Sequence, residues 1–169
     1  MSTITYRPIE FFRSPHTDIR DMPIQPTSAR GVTGTVTILP EYLEGLADLE
    51  GFSHVFVLYH LHEICGHDLT VTPFLDTKRH GIFATRSPKR PNPVGLSVME
   101  LLGLEGDTLY LGNVDVLNNT PVLDIKPYVP DFDVWPADRT GWFQGKSTNA
   151  VSQRSDDRFA CKCDECAQE

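Results

Sequence analysis

The chain has 169 residues, of which 40% are hydrophobic and 22% are charged, so it is long enough for one folded domain and is not typical of a disordered protein. Its net charge of −8 excludes a generally basic nucleic-acid-binding protein but not a local basic patch. No apolar stretch approaches the roughly 18 residues of a membrane span, and no signal peptide is recognised at the N-terminus, so we expect a soluble, cytoplasmic protein.

Short β-prone segments separated by turn signals run through most of the chain. Thirteen prolines and 12 glycines argue against a helical bundle. Pro40 opens a predicted short helix over residues 41–47. Strands are predicted at 3–13, 31–39, 52–61, 69–75, 82–85, 96–102, 107–114 and 122–125. Strands spaced by about ten residues are typical of an antiparallel barrel or sandwich.

Two irregular regions interrupt this pattern. Residues 14–30 form a polar, proline-punctuated loop, and a loop of that length is usually functional or mobile. After Tyr128, prolines and then polar and charged residues dominate. We therefore predict a β-domain over residues 1–135 and an irregular C-terminal extension over residues 136–169, wrapped on the domain and ending in a cysteine-rich tail.

The first motif whose side chains could bind a ligand or take part in catalysis is residues 81–95, GIFATRSPKRPNPVG. Three cations and a hydroxyl stand within residues 86–90, and prolines at positions 88, 91 and 93 stiffen the backbone. Arginine recognises carboxylate or phosphate through paired hydrogen bonds, and Asn92 can bond an amide or a base edge. The segment is either a binding loop or a solvated proline-rich turn.

The second motif is residues 115–128, DVLNNTPVLDIKPY. Asp124 and Lys126 are two positions apart on a predicted strand, so both side chains point to one face. On an exposed face they would form an ion pair of little energetic value. On an enclosed face they would form a polar pair in a pocket.

Histidines of the apolar segment 52–61 and its end give a weak metal-site pattern. His54, His60 and His62 share one parity on the predicted strand. Six residues of extended chain separate the first two by about 20 Å, which is too far for one ion. We therefore predict no metal among the site residues.

The tail pattern C-x-C-x-x-C comprises Cys161, Cys163 and Cys166. Three soft ligands could bind zinc if Cys65, a histidine or another chain supplied the fourth. Alternatively, the tail holds reduced thiols, as expected in a reducing compartment. The spacing indicates no disulfide framework.

Three segments together resemble a known family. Residues 52–59, 81–95 and 115–128 are similar to YaeB-like (TsaA-like) proteins, the tRNA N6-threonylcarbamoyladenosine-37 N6-methyltransferases. The resemblance runs from about residue 5 to residue 135. It implies an S-adenosylmethionine-dependent methyltransferase with a mainly β fold, a small antiparallel β-barrel. It also implies a homodimer with the cofactor near the subunit interface.

The resemblance also implies which residues form the site. The cofactor-binding residues would be Phe83, Arg86, Ser87, Arg90, Asn92, Asp115, Leu117 and Thr120. The catalytic residues would be Asp124, Lys126 and Tyr128. One element departs from the family: where a Pro-Arg-Gln sequence is usual in the long loop, this chain has Pro23-Ile24-Gln25 and lacks the arginine.

The implied reaction is an in-line transfer of a methyl group from a sulfonium, so the site must align the reacting atoms. Arg86 or Arg90 suits the cofactor carboxylate, and Asp124 or Tyr128, tuned by Lys126, is the hypothesised relay for the proton of the target nitrogen.

The expected methyl acceptor is the anticodon loop of tRNA, whose unstacked bases proteins commonly recognise. A local basic run would receive it, comprising Lys78, Arg79, His80, Arg86, Lys89 and Arg90. The alternatives are a methyltransferase of a small metabolite and a non-enzymatic cofactor- or metal-sensing protein.

Overall fold

The computed structural model describes residues 3–161. This part of the chain contains eight strands and one short α-helix, joined by 3-10 turns and loops. The elements are β1 (Glu10–Arg13), β2 (Thr33–Thr37), β3 (His54–His60), β4 (Thr70–Val71), β5 (His80–Gly81), β6 (Val94–Glu105), β7 (Thr108–Gly112), β8 (Pro121–Pro127) and α1 (Pro130–Asp133).

Six strands close into an antiparallel barrel in the order β1-β2-β7-β6-β3-β8, while β4 and β5 form a separate two-stranded sheet. Closure gives each barrel strand two hydrogen-bonded neighbours and so removes exposed sheet edges. The predicted mainly β class and the small antiparallel barrel are thereby confirmed.

Alternation along the strands explains how the barrel fills its interior. On β3, Val55, Val57 and Tyr59 are buried, whereas the residues between them are partly exposed. The other strands contribute large side chains to the same core, among them Phe12, Val36, Met99, Leu109, Leu111 and Val122. Each such side chain contributes roughly 1.5–3 kcal/mol when it is fully buried.

The long strand β6 bends around the barrel and pairs with two different partners. Residues 94–100 pair with β3, and residues 100–105 pair with β7, with a register shift between Leu101 and Gly103. Gly95 lies opposite Tyr59, and a Cβ at that glycine would lie 2.1 Å from the tyrosine ring. The tyrosine therefore requires glycine at this end of the motif.

Two predicted strands have less than half of their predicted length in the structure. The strand predicted at 3–13 is limited to Glu10–Arg13. The strand predicted at 69–75 is only Thr70–Val71, and Pro73 just beyond it has no backbone N–H to donate.

The strand predicted at 82–85 was wrong, because the segment forms a 3-10 helix, Ile82–Ala84. The backbone N–H and the hydroxyl of Thr85 both donate to the carbonyl oxygen of Ile82, at 3.1 and 2.9 Å, which closes the turn. The helix predicted at 41–47 also forms as a 3-10 helix, Pro40–Leu46.

The described part of the C-terminal extension packs against the barrel domain. Phe159 is buried in a small apolar cluster with Val71 and Ile82, and the Ser155 N–H donates to Met22 at 3.0 Å. These contacts do not test the predicted boundary at residue 135, which stays a prediction.

A disulfide joins Cys65 to Cys161, with Cα atoms 5.3 Å apart. The cysteine spacing did not indicate this bond, because 96 residues separate the two positions. The remaining tail cysteines, Cys163 and Cys166, lie outside the described residues. Between residues 3 and 161, no helix has the length and apolar character needed to cross a membrane.

Candidate active site

Arg90 organises the loop of the first motif from within. Its Nη1 donates to the carbonyl oxygens of Thr85 at 2.9 Å and Ile82 at 3.3 Å, and its guanidinium lies 5.9 Å from the ring centre of Phe83. These bonds hold the strand-to-loop turn in shape. The predicted cofactor ligand Arg90 is therefore engaged with its own loop in this structure.

Ser87 is a buried residue of the first motif, and the hydrogen bonds of its backbone and its hydroxyl differ. Its backbone N–H donates to the hydroxyl of Thr85 at 3.2 Å. Its own Oγ is buried and has no hydrogen-bond partner among residues 3–161. An unpaired buried hydroxyl costs about 1–3 kcal/mol, so this atom fits a polar group of a ligand.

Arg86 connects the first motif to the long polar loop. Its Nη1 donates to Oε1 of Gln25 at 2.5 Å, and the Nε2 of that glutamine donates to the carbonyl oxygen of Ile24 at 2.6 Å. The chain lacks the expected arginine at position 24, but Gln25 of the same element reaches the motif and orients its guanidinium.

Asp115, the first residue of the second motif, is influenced by the charge of Arg86 in the first motif. Burial raises the pKa of Asp115 to about 7, although a hydrogen bond from Ser97 and the positive charge of Arg86 act in the opposite direction. The fold thus places the predicted cofactor residues Arg86 and Asp115 within electrostatic range of each other, although 29 positions separate them in the sequence.

Two residues that the sequence did not single out support Asp115. The Ser97 hydroxyl donates to Oδ1 of Asp115 at 2.8 Å, and the hydroxyls of Tyr59 and Ser97 are 3.0 Å apart. Burial raises the pKa of Tyr59, so its hydroxyl stays protonated and can donate. A polar residue at an inward position of β6, two positions after the glycine that lies opposite the inward Tyr59, was the signal available in the sequence.

The turn between Asp115 and β8 is fixed by the loop that follows β1. The Ser14 hydroxyl donates to the carbonyl oxygen of Val116 at 2.6 Å, and Arg13 Nη1 donates to Oδ1 of Asn119 at 2.7 Å. Thr120 is buried, and its hydroxyl lies 3.3 Å from Nδ1 of His62. The backbone N–H of Thr120 donates to Leu117, so both predicted cofactor residues lie in one ordered turn.

The predicted catalytic residues occupy the outer wall of the barrel. Asp124 pairs with Leu58 and Lys126 with Phe56 across β3, on the face opposite to Tyr59. Their side chains form an ion pair of 2.6 Å and are 45% and 60% exposed, respectively. The sequence left open an exposed ion pair or a polar pair enclosed in a pocket. In the single chain the pair is exposed.

Tyr128 closes the same outer wall. Its ring packs edge-on against Phe56, with centroids 5.4 Å apart, and against His54 at 6.2 Å. The structure thus groups Asp124, Lys126 and Tyr128 with one another along β3 and β8. On a single chain it places the two charged residues across the wall from the buried Tyr59 and Ser97.

Comparisons with known proteins agree with this barrel and its motifs. The family described as the tRNA-methyltransferase O N-terminal domain matches residues 11–134. This chain belongs to that family. The membership predicted from the three motifs is therefore confirmed.

Relatives within and near the family carry related names. A probable S-adenosyl-L-methionine-binding protein of Pyrococcus abyssi is 46% identical over 156 residues, which cover 92% of this chain and 85% of that protein. The tRNA (adenine(37)-N6)-methyltransferase of Escherichia coli is 36% identical over 77% of this chain and 60% of its own length. The crystal structure of TrmO from Pseudomonas aeruginosa matches with a TM-score of 0.70 and 38% identity, covering 83% of this chain and 63% of that one.

Most cations of the basic run in this family member are already paired. Lys89 lies 3.6 Å from the carboxylate of Asp68, and Arg79 donates to the carbonyl oxygen of Thr70 at 2.9 Å. His80 lies 3.1 Å from Asp76, whose pKa is held well below its usual range by Lys146 and by this histidine. The carboxylates of Asp68 and Asp76 reduce the positive charge that the run presents to a polyanion, whereas the carbonyl bonded to Arg79 does not.

The C-terminal extension also reaches the motif. Trp142 Nε1 donates to the carbonyl oxygen of Ala84 at 2.7 Å, and its ring stacks on His80 with centroids 4.6 Å apart. Arg154 bridges to Pro23 through the backbone and donates from Nη1 to Ser28 at 2.8 Å. The extension therefore braces both the first motif and the long loop.

A surface cleft of about 470 Å³ lies beside these contacts. Its walls include Asp68, Asp76, Arg79 and Arg158, and none of the predicted site residues lines it. The cleft therefore adds no residue to the candidate active site.

Proposed function

We propose that this chain is an S-adenosylmethionine-dependent methyltransferase that adds a methyl group to N6 of threonylcarbamoyladenosine at position 37 of cytoplasmic tRNA. The observation that carries the proposal is that Arg86 and Asp115, one from each signature motif, lie within electrostatic range of each other in a barrel of this family. The names of the Pyrococcus abyssi and Escherichia coli relatives support the cofactor and the substrate.

The chemistry of the site fits this cofactor. S-adenosylmethionine carries a carboxylate, an ammonium group, ribose hydroxyls and an adenine edge, and when bound it supplies an electrophilic methyl group on sulfur. The chain offers the cation of Arg86, the carboxyl of Asp115 and the unpaired buried hydroxyl of Ser87. These groups match the charge and hydrogen-bonding needs of such a ligand.

In this proposal Arg86 binds the carboxylate of the cofactor, while Gln25 holds the guanidinium in place. Asp115 accepts hydrogen bonds from the cofactor, and Ser97 fixes the orientation of its carboxyl. Arg90 acts through the loop, because its guanidinium bonds to the carbonyl oxygens of Ile82 and Thr85.

We also propose a homodimer formed through the outer wall of β3 and β6. Val94, Leu96 and Leu102 lie on β6 and are 39%, 59% and 50% exposed. The strand register places Leu96 beside Leu58, which lies beside Asp124. A second chain on this wall would enclose the Asp124–Lys126 pair, which supports its proposed part in moving the N6 proton.

An exposed aromatic ring supports contact with the anticodon loop. Phe83 is 78% exposed, and Arg90 lies behind its ring at 5.9 Å. Unstacked RNA bases stack on such rings, with about 1–3 kcal/mol for each base. This ring offers a base-binding surface although the chain carries a net charge of −8.

The test of the proposed function is methyl transfer by the purified chain. We expect label from methyl-labelled S-adenosylmethionine to appear on N6 of threonylcarbamoyladenosine in tRNA, identified by nucleoside mass spectrometry. Arg86→Ala should weaken cofactor binding by about 10- to 100-fold, because a charge-assisted contact is lost. Arg139→Ala, at a side chain that is 92% exposed in the extension, is the matched control and should bind normally.

Three outcomes would contradict parts of the proposal. Cofactor binding without any methylated tRNA would reject the tRNA substrate and favour a small-molecule acceptor. The absence of cofactor binding would reject the methyltransferase. Equal cofactor affinity of the Arg86 and Arg139 variants would reject the assignment of the carboxylate site.

A second measurement tests the stacking surface. Phe83→Ala should raise the KM for tRNA by about fivefold or more, because one stacking contact is worth at least about 1 kcal/mol. The matched control is Phe132→Ala, since Phe132 is 64% exposed on α1. Equal tRNA KM values for the two variants would argue against base stacking at Phe83.

A further inference from the structure

The two peptide groups that flank Asp115 are held by side chains from the start of the long loop. The Val114 carbonyl oxygen lies 3.0 Å from Nε2 of His16, and the Val116 carbonyl oxygen accepts from the Ser14 hydroxyl at 2.6 Å. A carbonyl oxygen can only accept, so Nε2 of His16 carries the proton. The partners are 98 and 102 positions apart in the sequence, so the fold alone brings them together.

Neither carbonyl group is open to water. Val114 is fully buried, and Val116 is 2% exposed. A buried carbonyl oxygen that loses its donor stays unpaired, which destabilises that arrangement of the chain. The two hydrogen bonds therefore restrict the rotation of the peptide groups on both sides of Asp115, and with it the direction in which the carboxyl points.

The segment that supplies these donors is itself fixed beside the second motif. The Asn118 N–H donates to the His16 carbonyl oxygen at 2.7 Å, and the Ser14 N–H donates to Oδ1 of Asn118 at 3.2 Å. The His16 N–H donates to the Ser14 hydroxyl oxygen at 3.2 Å, which sets the two residues relative to each other. Both side-chain donors therefore have one defined position next to Asp115.

We propose that Ser14 and His16 are positioning residues for the Asp115 carboxyl and, through it, for the cofactor. They hold the peptide groups before and after Asp115, while Ser97 holds the carboxyl itself. The inference rests on the proposed function, because only there does Asp115 contact the cofactor.

The same long loop also acts on the second charged group of the site. Its Gln25 accepts from Nη1 of Arg86. The loop that lacks the usual arginine thus sets the direction of Arg86 through Gln25 and that of Asp115 through Ser14 and His16.

The first test follows Asp115 in the ligand-free, full-length chain. Ser14→Ala and His16→Phe each remove one donor, so the turn should loosen and water should reach the carboxyl. The pKa of Asp115 should then fall from about 7 toward its ordinary value, and carboxyl titration by NMR measures it. The side chains that interact with this carboxyl stay unchanged in both variants, namely Ser97, Arg86 and Tyr59.

The second test measures the affinity for S-adenosylmethionine by calorimetry. Ser14→Ala and His16→Phe should each weaken binding by about fivefold or more, because a hydrogen bond that positions Asp115 is lost. Ser14→Thr keeps a hydroxyl donor, and His16→Gln keeps an N–H donor near the position of Nε2. These two conservative variants should bind the cofactor nearly as well as the unmodified chain does.

Matched controls make the same changes at exposed positions. Ser152→Ala lies in the extension and His67→Phe in the loop after β3, and both should leave the Asp115 titration and the cofactor affinity unchanged. Circular dichroism checks that each variant is folded. If Ser14→Ala does not fold, His16→Phe tests the proposal by itself, because it removes one side-chain donor and leaves the Ser14 hydroxyl in place.

Two results would overturn the assignment. One is an unchanged pKa of Asp115 in the folded variants that lack a donor. The other is an equal loss of cofactor affinity in the conservative variants, since the donors would then not be what matters. The titration needs no cofactor, so it decides the positioning role even if the unmodified chain binds no S-adenosylmethionine, a result that would reject the proposed function instead.

Discussion

Asp115 and Asp124 stand nine positions apart in one motif, yet the barrel gives them different surroundings. Asp115 is partly buried, accepts from Ser97 and has a pKa raised to about 7. Asp124 lies on the outer wall, where it is 45% exposed and paired with Lys126. The carboxyl of the same residue type thus titrates near neutral pH in one surrounding and is exposed to solvent in the other, because the degree of burial differs.

The largest expected effect on stability comes from Gly95, which leaves room for the buried ring of Tyr59. Gly95→Ala would place a Cβ 2.1 Å from the Tyr59 ring, so the ring must move. We expect a loss of about 3 kcal/mol in the free energy of unfolding, as for overpacked cores. Denaturant unfolding measures it. The matched control is Gly103→Ala on the same strand, where no atom lies within 4 Å of the added Cβ; equal losses would contradict the argument.

The next effect concerns the charge of Asp115. Its folded pKa of about 7 exceeds the unfolded value near 3.8, so the residue contributes most to stability below pH 4. That contribution falls as the pH rises to about 7 and is then constant. Asp115→Asn keeps an acceptor for Ser97 but removes the ionisation.

We therefore expect Asp115→Asn to be about 2 kcal/mol more stable than the unmodified protein at pH 8 and nearly equal to it at pH 4. Urea unfolding at both pH values measures the difference. A stability difference that stays constant between pH 4 and pH 8 would contradict the raised pKa.

A smaller effect should follow from Ser97→Ala. The serine hydroxyl donates to Asp115 and lies 3.0 Å from the hydroxyl of Tyr59, so its loss should cost about 1 kcal/mol. It should also raise the pKa of Asp115 further, because the lost hydrogen bond favours the carboxylate. Carboxyl titration by NMR measures this shift, and an unchanged or lower pKa would contradict it. Ser53→Ala, which affects an exposed contact with His54, is the control.

The smallest effect is expected on the outer wall. Asp124→Asn breaks an exposed ion pair, so the free energy of unfolding should change by less than about 0.5 kcal/mol. Turnover should fall while the affinity for the cofactor stays the same, if the residue helps to move the N6 proton. A loss of stability near that of Gly95→Ala, or unaltered turnover, would contradict this description.

The sequence predicted the barrel well because its strands carry local signals. The apolar, β-branched composition of residues 52–61 predicted β3, and the turn at Gly106 predicted the β6–β7 hairpin; both are present. The strand predicted at residues 82–85 was wrong for a physical reason. The side chain of Arg90, eight positions from Ile82, bonds to the carbonyl oxygen of Ile82. Such a contact has no periodic pattern.

The site was less predictable than the fold. Motif recognition supplied Arg86 and Asp115, which the fold places within electrostatic range of each other. Tyr59 and Ser97 were missed, because they read as ordinary strand residues until closure of the barrel places their hydroxyls 3.0 Å apart. Gln25 was noted only for the arginine missing beside it, and its bond to Arg86 depends on the path of a long loop.

The contacts that the C-terminal extension makes with the first motif and the long loop determine where this protein can be truncated. A chain cut after residue 134, where the family match ends, would lose the indole that caps the Ala84 carbonyl and covers His80. It would also lose the guanidinium of Arg154 that holds Ser28. Trimming to the shared region would therefore loosen both loops that carry Arg86 and Gln25, and assays of a minimal fragment would underestimate the intact enzyme.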